Sequence, residues 1–411
     1  MADREITAAL SRPAWFYGWN VVALTLLCQV LTVGLSNYCF ALWAVSWQQE
    51  FGGPRRDIML ATTLALFSAG ILSAVGGKWI DRFAPQTLIC GGAGIFALGL
   101  LLVSGATAMW QITAIFTLLM PFGTVFAGTH LCQALVGRWF IRNRGLALGL
   151  SAMGTSLGGL LLPPIIVQSV ALVGWRGAMV GAALVTLLVL IPLALLVLRR
   201  RPEEFADTPA ATAPRGHATV HSARGLLSNR YFWLVVIAFT PILMAFYAVH
   251  ANLGTYAEDI GFSPAQTALV ISVLSFSMMA GKLVCGRLLD VVSHQRLYFL
   301  VAGCFIAGML CISQNAGLAL LLCGAVCMGL ALGGTMPLMS TQVLDRFGAA
   351  AYGQVMGLLY IFINLSSIGP VAAGWVRDAT GSYPTVFLAS LAPLVIALIL
   401  MWRYGRERQP G

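Results

Sequence analysis

The sequence predicts an all-α membrane protein of twelve helices in two six-helix halves, and three observations carry that prediction. The 411 residues are 59% hydrophobic and only 9% charged, against about 25% charge in a soluble globular domain. The apolar residues gather into continuous stretches of bilayer-crossing length, about 20 residues for a helix. The strands of an outer-membrane barrel would instead alternate over about ten residues. A polar, basic segment rich in Pro and Ala, RRRPEEFADTPAATAPRGHATVHSARG, separates six of these stretches from six more.

In chain order the spans fall near 18–43, 58–79, 87–108, 111–136, 146–172, 177–198, 231–256, 265–288, 297–315, 317–343, 354–376 and 384–402. The N-terminal half is therefore 1–198, the cytoplasmic linker 199–230 and the C-terminal half 231–411. Residues 1–14 are polar and lack a cleavable apolar core, so span 1 itself is expected to direct insertion. Span 2 is followed by GGKWIDRF and span 8 by CGRLLDVV. Span 5 opens RGLALGLSAMGTSLGG and closes into VGWRGAM; span 11 opens YGQVMGLLYIFINLSS and closes into TGSYPTVF. Each of these pairs is offset by about 208 residues, with Gly145 matching Gly353 and Gly149 matching Gly357. This is a parallel internal repeat, an arrangement that places a binding site between the halves near the midplane.

The formal net charge of +10 is topological and does not point to nucleic acid. With both termini inside, only Arg55, Arg56, Arg176 and Arg377 fall outside and Lys282 lies within the membrane; the other Lys and Arg are cytoplasmic. That is the positive-inside bias of an inner-membrane protein. The nine cysteines sit in or beside apolar spans without metal-ligand spacing, and read as small core residues. No metal or cofactor is implied. No nucleophile–base pair or phosphate-binding glycine loop appears in the right context, which argues against an enzyme.

Lys282 is the only charged side chain deep inside an apolar span, within TALVISVLSFSMMAGKLVCGRLL (Thr267–Leu289). The chain's other lysine, Lys78, is expected in the loop after span 2. A cation at mid-membrane costs roughly 2.5–3.5 kcal/mol on insertion scales, so it persists where it faces a cavity or a partner. The competing reading is a lysine snorkelling to the cytoplasmic face, some 12 Å away at about 1.5 Å per residue. An ammonium in a low-dielectric cleft is suited to bind a carboxylate. Span 7 adds a polar stripe of His250, Asn252 and Tyr256 ending at Asp259, and Asn37, Tyr38, His130 and Asn364 are further polar residues within spans. Met153, Phe276 and Met336 are candidates for an apolar wall. In the loops, Asp81 with Arg82 and Arg287 with Asp290 are placed to pair across the halves or to cap a neighbouring helix, as a conformational switch. The plainer reading of these four is topogenic charge at a tight turn.

Several motifs resemble the major facilitator superfamily, and within it the monocarboxylate porters and the related oxalate/formate antiporters. They are FYGWNVV (Phe16–Val22), GRWFIRNRGLALGL (Gly137–Leu150), GLALGGTMPLM (Gly329–Met339) and WVRDATGSY (Trp375–Tyr383), the WF-x3-RG-x-A-x-G pattern being the most specific. The resemblance covers the chain end to end. It implies the major facilitator fold and aligns Lys282 with an arginine of the porters, four residues before the glycine at 286. It likewise matches Tyr256 and Asp259 to an aromatic preceding Asp-x-Gly, sets Asn252 where histidine is common, and puts His130 at a cavity position. Met278 stands where eukaryotic relatives often carry a carboxylate. With no Asp or Glu at mid-span, a coupled proton is left to His250, His130 or Asp259.

The resulting expectation is an inner-membrane secondary transporter of a small organic carboxylate, most simply a monocarboxylate with a proton, working by alternating access. Its partners are the carboxylate, protons and the lipid bilayer, and the internal repeat makes a monomer sufficient. Anion exchange, export of a larger organic compound and a transport-dead sensor remain open from the sequence.

Overall fold

A computed structural model of the chain describes residues 16–52, 55–140, 143–199, 223–314, 317–381 and 383–406. Most of the expected linker lies outside the described residues. The described residues are helical throughout the spans, with no strand among them. Among the described residues, ten helices are individually long and apolar enough to cross a membrane. Spans 5 and 6 run together across a kink at Gly174, and span 11 is broken into short pieces, which accounts for the difference.

Span 1 runs Gly18–Val33, passes through a π-helical turn at Gly34–Tyr38 and continues as Phe40–Phe51, well past its expected end near residue 43. Span 2 is Arg55–Arg82 and span 3 Pro85–Ser104. Lys78 therefore belongs to the last turns of span 2 and not to a loop. Its sequence, GGKWIDR, has too few breakers to stop a helix already running. Span 4 is built from Met109–Leu118, Met120–Phe126 and Thr129–Trp139. Spans 5 and 6 occupy Arg144–Val197, interrupted at Gly174, whose φ of 71° and ψ of 167° suit only glycine.

In the C-terminal half, span 7 is Arg230–Asp259, span 8 Pro264–Leu289, span 9 His294–Ser313, span 10 Leu318–Phe347 and span 12 Tyr383–Arg406. Span 8 begins with a capping box between Ser263 and Gln266 and a proline in its first turn, so its first orphan N–H groups are satisfied locally. Span 11 is Tyr352–Ile363, a 3-10 segment Asn364–Ile368 and Gly369–Thr380.

Two of the sequence motifs fold against each other. Phe16 and Trp19 set their rings edge-on to Phe140 at 5.2 and 5.0 Å, Tyr17 packs on Trp139, and the Tyr17 hydroxyl donates to the Val197 carbonyl at 2.8 Å. The start of span 1 is thereby fixed to the end of span 4 and the end of span 6.

At the opposite end of the N-terminal half, Glu50 gathers three chain segments. Its carboxylate accepts from Trp175 Nε1 at 2.6 Å and from Arg176 Nη1 at 2.5 and 2.6 Å, while Arg176 Nη2 donates to the Ala106 carbonyl at 2.8 Å. The guanidinium also lies over the Trp175 ring, 4.3 Å from its centre. The hydrogen bond from Arg176, then that from Trp175, holds the Glu50 carboxyl below its ordinary range. A depressed carboxyl stabilises the fold above the unfolded-state value of about 4.3, and loses that contribution as pH falls through the lower folded value. Glu50→Gln is therefore expected to lower the thermal midpoint of the detergent-solubilised protein slightly at pH 7, with the difference shrinking as pH falls below the unfolded-state value towards pH 3. Midpoints recorded across that range check this, and a constant offset at all pH values would refute it.

Candidate functional site

The two halves meet along two helix crossings that repeat each other. Span 5 crosses span 8 so closely that a Cβ on Gly149 would collide with the Lys282 carbonyl oxygen. Span 11 crosses span 2 in the same way, with Gly357 against the Ser73 carbonyl oxygen. Small residues at such crossings let backbones touch. The matching glycines are those of the internal repeat, and the residues they touch also correspond, because Ser73 precedes Asp81 as Lys282 precedes Asp290.

Those two aspartates close the crossings at the basic end. Asp81 accepts from the backbone N–H of Gly353 at 2.9 Å and of Gln354 at 2.8 Å, capping span 11. Asp290 accepts from Gly145 at 2.8 Å and Leu146 at 3.1 Å, capping span 5. A carboxylate there meets both the free N–H groups and the positive end of the helix dipole. The arginine beside Asp81 is Arg138, at 3.5 Å, which also donates to the Ile80 carbonyl at 2.9 Å. Arg82 and Arg287, expected to share the switch, are exposed instead; the backbone of the opposite half takes the carboxylates they were paired with. Arg144 adds an ion pair across the halves to Asp345 at 2.9 Å, and His294 stands 3.5 Å from the same carboxylate.

Above these caps lies Lys282, 6% exposed. Its ammonium donates to Thr155 Oγ1 at 2.5 Å and Ser156 Oγ at 2.8 Å. Thr155 itself donates to the Ala152 carbonyl at 3.1 Å, so its oxygen presents a lone pair to the lysine. Thr155 is nine residues into span 5 from Leu146, about 13 Å at 1.5 Å per residue. The head group is held at depth and does not run to the basic end. Among the described residues no carboxylate lies within ion-pairing distance of it. Two of its three N–H donors are used, leaving one for a ligand.

A belt of aromatic and polar side chains continues from this point. The Tyr38 ring lies against Gly159, one turn from Thr155 on span 5. Tyr38 and Tyr247 are each 41% exposed, and Asn37 and His250 are exposed beside them. Tyr360 sits edge-on to His130 at 4.0 Å between ring centres, and its hydroxyl donates to Met336 Sδ at 3.4 Å. His130 Nε2 is 3.3 Å from Ser73 Oγ. Asn364 sets its amide against Gly70 of span 2.

Of the expected residues, the structure thus gathers Lys282, Tyr38, His130 and Asn364 at the seam between the halves, with Asn37 and His250 on the faces flanking it. Tyr256 is not among them. It is 1% exposed in the core of the C-terminal half, where its hydroxyl donates to the Ile312 carbonyl at 2.6 Å and its ring packs edge-on against Tyr383 and Phe387. Asn252 donates to the Ala248 carbonyl of its own helix at 2.8 Å. Asp259 is the last residue of span 7, and its side chain lies outside the described residues. Phe276 faces an apolar groove between spans 8 and 10, with Ser272, Val326 and Leu330, and is no part of the seam. Tyr247, Tyr360, Ser73, Thr155 and Ser156 were missed. The repeat offered a signal for Ser73, since it aligns with Lys282.

The chain belongs to the Major Facilitator Superfamily, which matches residues 25–368 and 253–411. It is a multi-pass membrane transporter of that family and not an enzyme. Among curated relatives it is 25% identical over 385 residues to Monocarboxylate transporter 13 of Bos taurus, covering 92% of this chain and 87% of that one. It is 26% identical over 386 residues to human Monocarboxylate transporter 11, covering 91% and 80%. A fungal relative, the Agnestins efflux protein AgnL12 of Paecilomyces divaricatus, is 24% identical over 354 residues, covering 85% and 78%. Solved structures share the fold. A variant of the E. coli fucose:proton symporter FucP superposes with a TM-score of 0.71 at 17% identity, covering 95% of this chain and 100% of that one. The human organic anion transporter MFSD10 gives 0.72 at 15%, with the same coverage.

The paired caps make a prediction about the closed end. Hydrogen bonds to a charged acceptor are worth roughly 1.5–3 kcal/mol, so Asp290→Asn should raise amide exchange at 145–149 and Asp81→Asn at 353–357 by about tenfold or more. Hydrogen–deuterium exchange by mass spectrometry reads both. Unchanged protection in either variant would mean that its cap does not hold the halves together.

Proposed function

We propose that the chain is a proton-coupled secondary transporter of a small monocarboxylate, working by alternating access across the inner membrane with both termini in the cytoplasm. The observation that carries this reading is the Lys282 ammonium, buried between the halves and held, among the described residues, by the neutral hydroxyls of Thr155 and Ser156 alone. Burying an unneutralised cation is costly by several kcal/mol, and neutral hydroxyls offset only part of that. An entering carboxylate completes the neutralisation, so substrate binding lowers the barrier to closing the cleft. Two of the relatives described above are monocarboxylate transporters, which supports a small organic anion as cargo.

The contacts between halves lie at the basic end and at mid-depth, which is the pattern of an outward-facing state when that end is cytoplasmic. Opening inward requires Asp81 and Asp290 to release the amides of spans 11 and 5. His250, exposed one turn from Tyr247 on span 7, is the group we assign to the proton, because His130 is already engaged with Ser73. A histidine is the side chain suited to titrate in the working range. Asp259 is the remaining carrier from the sequence. The internal repeat places the whole path within one chain, so a monomer suffices.

The absence of a carboxylate beside Lys282 among the described residues favours one second reading, electroneutral or electrogenic anion exchange, in which the returning anion takes the proton's place. Proteoliposomes separate the two. Symport predicts uphill uptake of a monocarboxylate driven by an imposed inward proton gradient, abolished by a protonophore; exchange predicts counterflow that persists without the gradient. In either case Lys282→Met is expected to weaken carboxylate binding by about 10- to 100-fold, the worth of a charged hydrogen bond of roughly 1.5–3 kcal/mol. Thermal-shift titration of the purified protein measures it, and undiminished binding in a folded Lys282→Met protein would remove Lys282 from the site.

A further inference from the structure

Resting on that reading, we propose that Ser73, His130 and Tyr360 form a second substrate-contacting position that takes a distal hydroxyl of a hydroxylated monocarboxylate whose carboxylate sits on Lys282.

The internal repeat supplies the first part of the argument. Ser73 and Lys282 occupy equivalent places, each with its carbonyl oxygen against the crossing glycine of the opposite half, Gly357 and Gly149 respectively. The scaffold therefore presents two equivalent positions of the same backbone geometry and different chemistry. One carries a cation and the other a hydroxyl bonded to a histidine.

Second, the histidine has hydrogen-bonding capacity left over. His130 Nε2 is engaged with Ser73 Oγ at 3.3 Å, whereas its Nδ1 is buried and has no hydrogen-bond partner among the described residues. Buried polar atoms are rarely left so, and each exception asks for a ligand, an ion or a water. If Ser73 donates to Nε2, then Nδ1 carries the proton and donates; if Nε2 donates to Ser73, then Nδ1 accepts. A hydroxyl is both donor and acceptor and fits either tautomer.

Third, an aromatic side chain stands beside each position: the Tyr38 ring lies on Gly159, one turn from the Thr155 that holds Lys282, and the Tyr360 ring lies edge-on to His130. Tyr38 is exposed beside the Lys282 position. No second cation stands among these residues, so the far end of the ligand is uncharged, and a dicarboxylate would bury one charge without a partner.

The test compares short straight-chain monocarboxylates bearing a terminal hydroxyl with the same acids lacking it, by dissociation constant on the purified full chain. One additional hydrogen bond to a buried group predicts about a tenfold preference for the hydroxylated acid. His130→Phe keeps the ring volume and removes both nitrogens, and should bring that ratio to about one. His130→Gln restores a hydrogen-bonding atom and should recover part of it. Ser73→Ala serves as the second variant if the ring change impairs folding, and should lower the ratio by releasing the imidazole. A ratio near one in the parent, with binding still dependent on Lys282, overturns the second position and leaves the anion site standing. A tenfold ratio that survives both His130→Phe and Ser73→Ala overturns it as well. Failure of every acid to bind, or binding undiminished in Lys282→Met, overturns the anion site and the second position together.

Discussion

Everything at the centre of this molecule depends on two places where helix backbones touch. Gly149 against the Lys282 carbonyl and Gly357 against the Ser73 carbonyl leave no room for a Cβ, and they set how near the halves can come. Because the contact is backbone to backbone, the side chain at 282 or 73 is free to face the seam while its own helix is locked in place. The same crossings bring the starts of spans 5 and 11 within reach of Asp290 and Asp81, whose carboxylates then cap them. Charge, cap and close approach are thus one construction, made twice.

The repetition is exact enough in geometry to make its chemical break informative. A duplicated scaffold would by itself offer two identical pockets, with no direction and no preference. Here one copy carries lysine and the other serine, and the partner groups differ accordingly: two aliphatic hydroxyls face the ammonium, whereas an imidazole faces the serine. The seam is polar along its length but positively charged at one side only. An anion bound as proposed would therefore be held off the symmetry axis, against span 8 and span 5.

How much of this could be read from the chain alone differs by level. The spans, the division into halves and the paired glycines follow from hydropathy and from matches at one offset, and the fold contains them. Lys282 stood out because a charge in an apolar stretch has no inexpensive explanation. Thr155, Ser156 and Ser73 gave no such signal. A hydroxyl in a helix can bond back to a carbonyl one turn earlier, as Thr32 and Ser36 do here, and so looks the same in lipid, in a core or in a cavity. Tyrosines are similarly silent. Tyr247 and Tyr256 lie on one helix, and only packing against span 9 and span 12 decides that the second belongs to the core. The resemblance to the porters points to Tyr256, which the fold buries in the C-terminal half, because motif spacing does not record which face a side chain takes. Arg82 and Arg287 were drawn to the aspartates by adjacency in sequence, although the free N–H groups of an opposing helix provide two well-directed donors at once.

The staple at Glu50 has a mechanical consequence. It ties the extension of span 1, the turn between spans 3 and 4 and the corner at Gly174, while at the other end Tyr17 and Phe140 bind spans 1, 4 and 6. A bundle lashed at both ends resists bending and tilts as a lever. Across a hydrocarbon core of roughly 30 Å, a tilt of about 10° about a glycine fulcrum carries the far end some 5 Å. That is wide enough to admit or seal off a small molecule without unfolding a single turn.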